Sequence, residues 1–183
     1  WKDLGRDGNH EAMFVKGGYQ REHYPPLQTF HAERALDRNR TKVPLIDGIG
    51  SYNHDDAICF GIFDGQHTNE EHYISTRAQE NFMKELQAGD NRATLGGWLD
   101  KSVEWYTEIF EKRAMRSETL PLTEESREGI SAEAEKAAIA MRNVAKAHFI
   151  GIGAILSTEL ENGKYRDKQP NTAKGGQNDT VDC

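Results

Sequence analysis

One short apolar run, residues 57–63, constrains the fold of this chain more than any other feature. It reads Ala-Ile-Cys-Phe-Gly-Ile-Phe and is bounded by polar, turn-forming residues on both sides. An apolar stretch of this length and composition predicts a strand that is buried on both faces of a sheet. The strand runs directly into Asp64 and Gly65, so it is expected to present a carboxylate and a flexible backbone position beyond the sheet edge.

Two amphipathic helices are predicted after this strand. Apolar residues return at helical spacing over residues 68–88, and Thr68 with Glu71 has the pattern of a capping box at the start of that helix. The same spacing of apolar and aromatic residues predicts a second helix over residues 94–115. Both apolar stripes are interpreted as core-facing surfaces.

The second half of the chain is predicted to contain a loop, a helix and a strand. Residues 117–129 are polar and acidic around a proline, which predicts a loop. Ser131 is expected to cap an alanine-rich helix that ends near residue 146. Residues 148–156, rich in Ile and Gly, are predicted as a strand, and Asn162-Gly163 is typical of a tight hairpin after it.

The length of 183 residues favours one domain with flanking segments. Residues 1–31 have no regular apolar period and predict an irregular N-terminal strap, apart from a strand-like stretch at residues 12–15. The domain is predicted to span residues 32–166, with a short strand at residues 43–46. Residues 167–183 contain few apolar side chains and predict a polar tail.

Charge, apolar runs and cysteine content exclude several classes of protein. The chain has 23 basic and 30 acidic residues, a formal charge of -7, and no basic block, so nucleic acid is not an expected partner. No apolar run approaches the roughly 18–20 residues that span a bilayer. Two cysteines, Cys59 and Cys183, imply no disulfide framework. We therefore expect an intracellular, cytoplasmic location, with an organelle lumen as the alternative.

The segment around Asp64 resembles the metal-binding corner of the type 2C family of metal-dependent Ser/Thr protein phosphatases. In that family a hydrophobic strand runs into Asp-Gly-His-Gly-Gly and is followed by two helices and a Gly-rich strand. Here residues 60–65 read Phe-Gly-Ile-Phe-Asp-Gly, and residues 151–155 read Gly-Ile-Gly-Ala-Ile after the two predicted helices. The resemblance covers residues 34–165. It implies an α+β fold, a truncated or degenerate α/β/β/α sandwich with about three helices packed on antiparallel strands.

The resemblance also implies a site for Mg²⁺ or Mn²⁺ at this corner. Asp64 and Gly65 match the metal-binding Asp-Gly of the family, and both ions prefer oxygen ligands. Asp37 matches an acidic residue that the family carries upstream, with the pair at residues 55–56 as a rival. His67 is a candidate acid or base, although a solvated loop histidine is the simpler interpretation. Asp-Gly pairs taken alone usually form turns.

Two departures from the family pattern predict that catalysis has been lost. Gln66 stands where the family has His, and the two glycines that should follow are absent. The sequence also ends before the second half of the sandwich, which in the family supplies further metal-binding aspartates for a two-ion site. We therefore expect no cofactor, unless the site retains Mg or Mn.

The predicted function is accordingly that of a catalytically inactive, phosphatase-like domain. It would serve as a structural or protein-binding subunit of a larger assembly, because half a sandwich leaves sheet edges and a face to be covered. The alternative is an active Mg- or Mn-dependent phosphatase that hydrolyses phosphoserine or phosphothreonine.

Overall fold

The computed structural model describes residues 4–6, 19–31, 44–53, 57–63, 71–88, 92–117 and 121–160. Within these ranges the fold is α+β, with a small antiparallel sheet and three helices. The strands are β1 (Leu4–Arg6), β2 (Tyr19–His23) and β3 (Ile58–Phe63). The helices are α1 (Glu71–Ala88), α2 (Leu95–Ser117) and α3 (Glu124–Gly151). A short 3-10 helix, Leu27–Phe30, follows β2.

The strand predicted at residues 57–63 is confirmed as β3, the central strand of the sheet. It pairs antiparallel with β1 along one edge and with β2 along the other. Cys59, Phe60 and Ile62 are completely buried. Since successive side chains of a strand point to opposite faces, burial of neighbouring residues means that both faces of β3 are covered. This double burial explains why the run is apolar throughout.

Strands β1 and β2 both come from the segment predicted to be irregular. Residues 19–23 read Tyr-Gln-Arg-Glu-His, which has neither an apolar run nor a hydrophobic alternation. Their backbone groups nevertheless pair with β3, and this pairing continues after β2 because the Tyr24 N–H donates to the carbonyl of Ile58 at 3.0 Å. Edge strands can be held mainly by such backbone pairing, which explains why the side-chain pattern did not reveal them. The strand-like stretch at residues 12–15 lies outside the described residues.

The first two helices are confirmed, and the third differs at both ends. Helix α3 begins at Glu124, so the loop prediction for residues 117–129 is wrong from that residue on. Its N-cap is Thr123, whose hydroxyl oxygen accepts the Ser126 N–H at 3.2 Å. Ser131 lies inside the helix and its hydroxyl donates to Glu111. Acidic residues in the first turn stabilise the helix dipole. Residues 124–129 are exposed, so this polar stretch is the solvent-facing start of the helix.

The strand predicted at residues 148–156 is also wrong. The buried side chains of α3 recur every three or four residues up to Phe149, and the helix ends only at Gly151. The apolar residues that suggested a strand therefore complete the helical stripe. Gly153 has a φ of +81° and turns the chain back towards the start of α2. The hairpin predicted at residues 161–164 lies outside the described residues.

The segment after α3, residues 152–160, lies between the turn at residues 47–51 and the start of α2. On one side, the Ile155 N–H donates to the Gly48 carbonyl at 2.7 Å, and the Ser51 N–H donates to the Ile152 carbonyl at 2.9 Å. On the other side, carbonyls of residues 156 and 158 accept the N–H groups of Gly96 and Leu95. The bonds from Leu95 and Gly96 satisfy N–H groups that the first turn of α2 leaves without intrahelical partners.

The strand predicted at residues 43–46 is reduced to a single bridge in the described part of that segment. Leu45 pairs there with His31. The following residues form turns, with Gly48 and Gly50 at positive φ, so the backbone leaves the extended conformation too early for a strand to form.

The core lies between the sheet and α2, and it is rich in aromatic rings. Tyr24 makes edge-on contacts with Trp98 and Tyr106, with ring centroids 5.1 and 5.2 Å apart. Phe60 of β3 meets Tyr106 at 4.6 Å. Helix α2 packs against both α1 and α3 and is therefore the central helix of the described fold. No helix in the described ranges has the length and apolar character needed to cross a membrane.

A hydrogen bond between two buried hydroxyl groups joins this core to α2, and its donor and acceptor can be assigned. The Ser102 hydroxyl donates to the Leu99 carbonyl at 2.7 Å, so the Tyr24 hydroxyl, 2.5 Å away, is the donor to Ser102. Burial raises the pKa of Tyr24 well above its usual range, which keeps this proton in place.

Ser102→Ala is expected to destabilise the protein more than Tyr24→Phe. The first change leaves a buried tyrosine donor without its acceptor and should cost about 1–3 kcal/mol, whereas the second removes one ordinary hydrogen bond and should cost about 0.5–1.5 kcal/mol. Urea unfolding of both variants measures the difference. Equal losses would mean that the two hydroxyls do not act as this donor and acceptor.

Candidate functional site

A buried carboxylate lies where β3 ends and α1 begins. Glu71 is 1% exposed. Its Oε2 accepts the backbone N–H of Phe63 at 2.9 Å and Nη2 of Arg113 at 2.7 Å. Its Oε1 accepts Nε of Arg113 at 3.2 Å. This two-pronged contact between a guanidinium and a carboxylate is stronger and more directional than a neutral hydrogen bond.

Two arginines from the last turns of α2 converge on this strand end. Arg113 Nη2 also donates to the carbonyl of Gly61 at 2.9 Å. Arg116 has Nη1 3.7 Å from Glu71 Oε1, and its guanidinium lies 5.6 Å from the centre of the Phe63 ring. The two arginines are three residues apart and therefore share one face of the helix. Two positive groups thus surround one carboxylate at the exit of β3.

A second polar cluster joins α1 to β2. Ser75 and Gln79 are buried and one helical turn apart, and Gln79 Nε2 donates to Ser75 Oγ at 2.7 Å. Both side chains also donate to Glu22 Oε1, at 3.4 Å from Ser75 and 3.3 Å from Gln79. His72 Nε2 lies 3.7 Å from the other oxygen of Glu22. These groups satisfy one another across the helix and the strand, so the cluster has a structural role.

An open groove, the α2–α3 groove, lies between the C-terminal half of α2 and the N-terminal half of α3. Its volume is about 790 Å³. The lining is mainly apolar or small and includes Phe110, Ala114, Gly129, Ile130 and Ala137. Its polar members are Arg113, Ser126 and Glu133, and Glu133 accepts Lys136 Nζ at 2.7 Å. Arg113 therefore contacts both the groove and the Glu71 site.

The opposite end of the same helix pair is closed by an ion cluster. Asp100 accepts Lys146 Nζ at 2.8 Å and Arg142 Nη1 at 3.0 Å. The hydrogen bond from Lys146 is the largest of the effects that hold the pKa of Asp100 below its usual value. These contacts hold α2 and α3 together at that end, whereas small residues leave the space open at the other.

The residues predicted to bind metal lie outside the described ranges. This applies to Asp64, Gly65 and Asp37, and to the rival pair at residues 55–56. The candidate acid or base, His67, also lies outside them. Within the described ranges, no three His, Cys, Asp or Glu side chains are grouped as metal ligands would be. The Mg or Mn site at Asp64 stays a prediction.

No local sequence pattern predicts the Glu71 ion pair or the groove. The sequence predicts that Glu71 is the second half of a capping box, and its predicted partner Thr68 lies outside the described residues. Among the described residues, the carboxylate makes the contacts with Phe63, Arg113 and Arg116 given above. The i, i+3 spacing of the two arginines was a visible signal, but it does not reveal which carboxylate they meet 42 residues away in the chain.

Comparison of this chain with protein-family models, with curated proteins and with solved structures finds no match. The likeness to type 2C phosphatases therefore depends on the residues quoted above and remains a resemblance.

Proposed function

We propose that this chain is a catalytically inactive, phosphatase-like domain that acts as a protein-binding subunit of a larger assembly. The observation that supports its inactivity is the charge at the exit of β3. Glu71 is buried there between Arg113 and Arg116. Asp64 is the next residue after Phe63, whose backbone and ring both contact this cluster.

This arrangement disfavours a divalent cation beside Asp64. A two-ion site needs several carboxylates to neutralise the metals, and like charges at short range repel. The described part of the corner contributes two guanidinium groups and one carboxylate that is already paired. Arg113 also donates to the Gly61 carbonyl, so the cluster holds the end of the strand and has a structural purpose of its own.

A binding role is supported by the α2–α3 groove. It is open, has a volume of about 790 Å³ and is mainly apolar. Concave apolar surfaces with a few polar groups are typical binding sites. A subunit that works by binding is expected to co-purify with a constant, stoichiometric set of proteins when it is tagged and expressed at its native level.

The test of inactivity is hydrolysis of p-nitrophenyl phosphate and of a phosphothreonine peptide in the presence of Mn²⁺. Wild type and Asp64→Ala are both expected to show no turnover above buffer. Asp47→Ala is the matched control, because Asp47 is an exposed aspartate in a turn distant in sequence from the corner. Turnover that disappears in Asp64→Ala and persists in Asp47→Ala would overturn the proposal and establish an active Mg- or Mn-dependent phosphatase.

A further inference from the structure

We propose that the α2–α3 groove binds an amphipathic segment of a partner protein, in which an apolar side chain is flanked by lysine or arginine. This inference deepens the binding role proposed above and rests on it. Three features of the groove support it: its apolar lining, the open space at Gly129, and the charge along its α3 side.

The lining suits an inserted apolar side chain. Phe110 from α2 and Ile130 from α3 supply large apolar surfaces, and Ala114, Ala134 and Ala137 keep the two helices from filling the space between them. A volume of about 790 Å³ exceeds that of any single side chain. An amphipathic helix that lays its apolar face into a groove between two helices is a recurrent form of peptide recognition.

Gly129 lines the groove at a point where there is room for a side chain. A Cβ atom added there would meet nothing within 4 Å. Glycine is less favourable than alanine inside a helix, and the surrounding space would accept a larger residue. The glycine therefore lowers the stability of α3, and a large side chain can be introduced at its site to test the groove.

The charge along α3 selects a basic partner. Residues 124–137 contain five glutamates against one arginine and one lysine. Glu125, Glu128 and Glu135 are exposed and lie three or four residues from Gly129 or Ala132, both of which line the groove. On the opposite wall, Arg113 is paired with Glu71. Complementary charge mainly determines which partner is accepted and how quickly it associates.

The experiment selects peptides from a displayed library and compares variants of the full chain. The library contains helical peptides with a fixed leucine stripe and randomised polar positions. On wild type, lysine and arginine are expected to be enriched at least threefold over aspartate and glutamate at the randomised positions. Fluorescence anisotropy then measures the affinity of the most enriched peptide for each variant.

Two tryptophan substitutions form a matched pair. Gly129→Trp fills the groove and is expected to weaken peptide binding at least tenfold. Gly151→Trp places the same side chain at the last residue of α3, where the space around Cβ is also open, and should leave binding within twofold of wild type. Glu125→Lys combined with Glu128→Lys should weaken the basic peptide at least fivefold. Circular dichroism checks that each variant is folded.

Several results would overturn the inference. These are enrichment of acidic peptides, affinity that is unchanged in Gly129→Trp, and selection that enriches no peptide. Sedimentation equilibrium tests whether wild type self-associates and whether Gly129→Trp abolishes that self-association. A positive result would mean that the groove binds a second copy of this chain and not a partner protein. Asp64-dependent phosphatase turnover would overturn the proposed inactivity without changing the peptide result, so the two failures are distinguishable.

Discussion

Replacing Arg113 with methionine is expected to lower the free energy of unfolding by about 3–5 kcal/mol, because the change leaves a buried charge without its main partner. The Glu71 side chain is 1% exposed, and Arg113 supplies two of its hydrogen bonds. Arg116 remains at 3.7 Å, which is too far for a hydrogen bond of normal length. Methionine retains most of the aliphatic contacts, so the loss reports on the guanidinium.

Removing the charge of Glu71 should lower the free energy of unfolding less than removing the charge of Arg113. Glu71→Gln keeps an acceptor for the Phe63 N–H, and the two arginines are 24% and 41% exposed, so water can solvate them. We expect a loss of about 1–3 kcal/mol. Removing both charges together, in Glu71→Leu with Arg113→Met, should be less destabilising than Arg113→Met alone, because no buried charge remains.

Urea unfolding at neutral pH measures these differences, with an unchanged m-value indicating a common unfolding transition. Arg77→Met is the matched control. Arg77 lies on α1, is 55% exposed and pairs with Glu80, so its loss should cost at most about 1 kcal/mol. If Arg113→Met were no more destabilising than Arg77→Met, the Glu71 cluster would not hold the end of β3.

Gly50→Ala is expected to destabilise the protein by about 2–5 kcal/mol. The residue has a φ of +62°, a left-handed conformation that costs roughly 1–2 kcal/mol for a residue with a Cβ. The added Cβ would lie 2.6 Å from the backbone carbon of Gly153 and closer still to the Ile152 carbonyl oxygen. These are backbone atoms, so the clash can be relieved only by moving the segment after α3, and overpacking of this kind typically costs 1–3 kcal/mol.

Gly129→Ala is the control for this substitution. Its site is helical and open, so the same change should raise stability by about 0.5–1 kcal/mol. Thermal unfolding followed by circular dichroism compares both variants with wild type. Opposite shifts of the melting temperature are expected. A Gly50→Ala protein that melts with wild type would contradict the contact between the turn at residues 47–51 and the segment after α3.

Elements that depend on local apolar patterns could be predicted from the sequence, whereas elements that depend on long-range pairing could not. Strand β3 and the first two helices could be predicted. The strand is a continuous apolar run, and each helix has apolar residues at helical spacing along its buried face. Strand β2 could not, because its partner is β3, which lies far away in the chain. The strand predicted at residues 148–156 failed for a related reason, since a short apolar run is compatible with either a strand or the end of a buried helix.

Only part of the candidate site could be predicted from the sequence. The approach of a buried strand to Asp64 was predictable, and β3 confirms the strand. The ion pair of Glu71 with Arg113 and the open groove beside Gly129 were not, because each depends on how α2 packs against its neighbours.

The sequence by itself therefore determined a buried strand leading to Asp-Gly and two amphipathic helices after it, because those features follow from local apolar periodicity. Tertiary structure alone decided which strands flank β3 and which charges surround the exit of the strand. Pairing between distant backbone segments, and the pairing of Glu71 with an arginine 42 residues away, leave no local pattern from which they could be inferred.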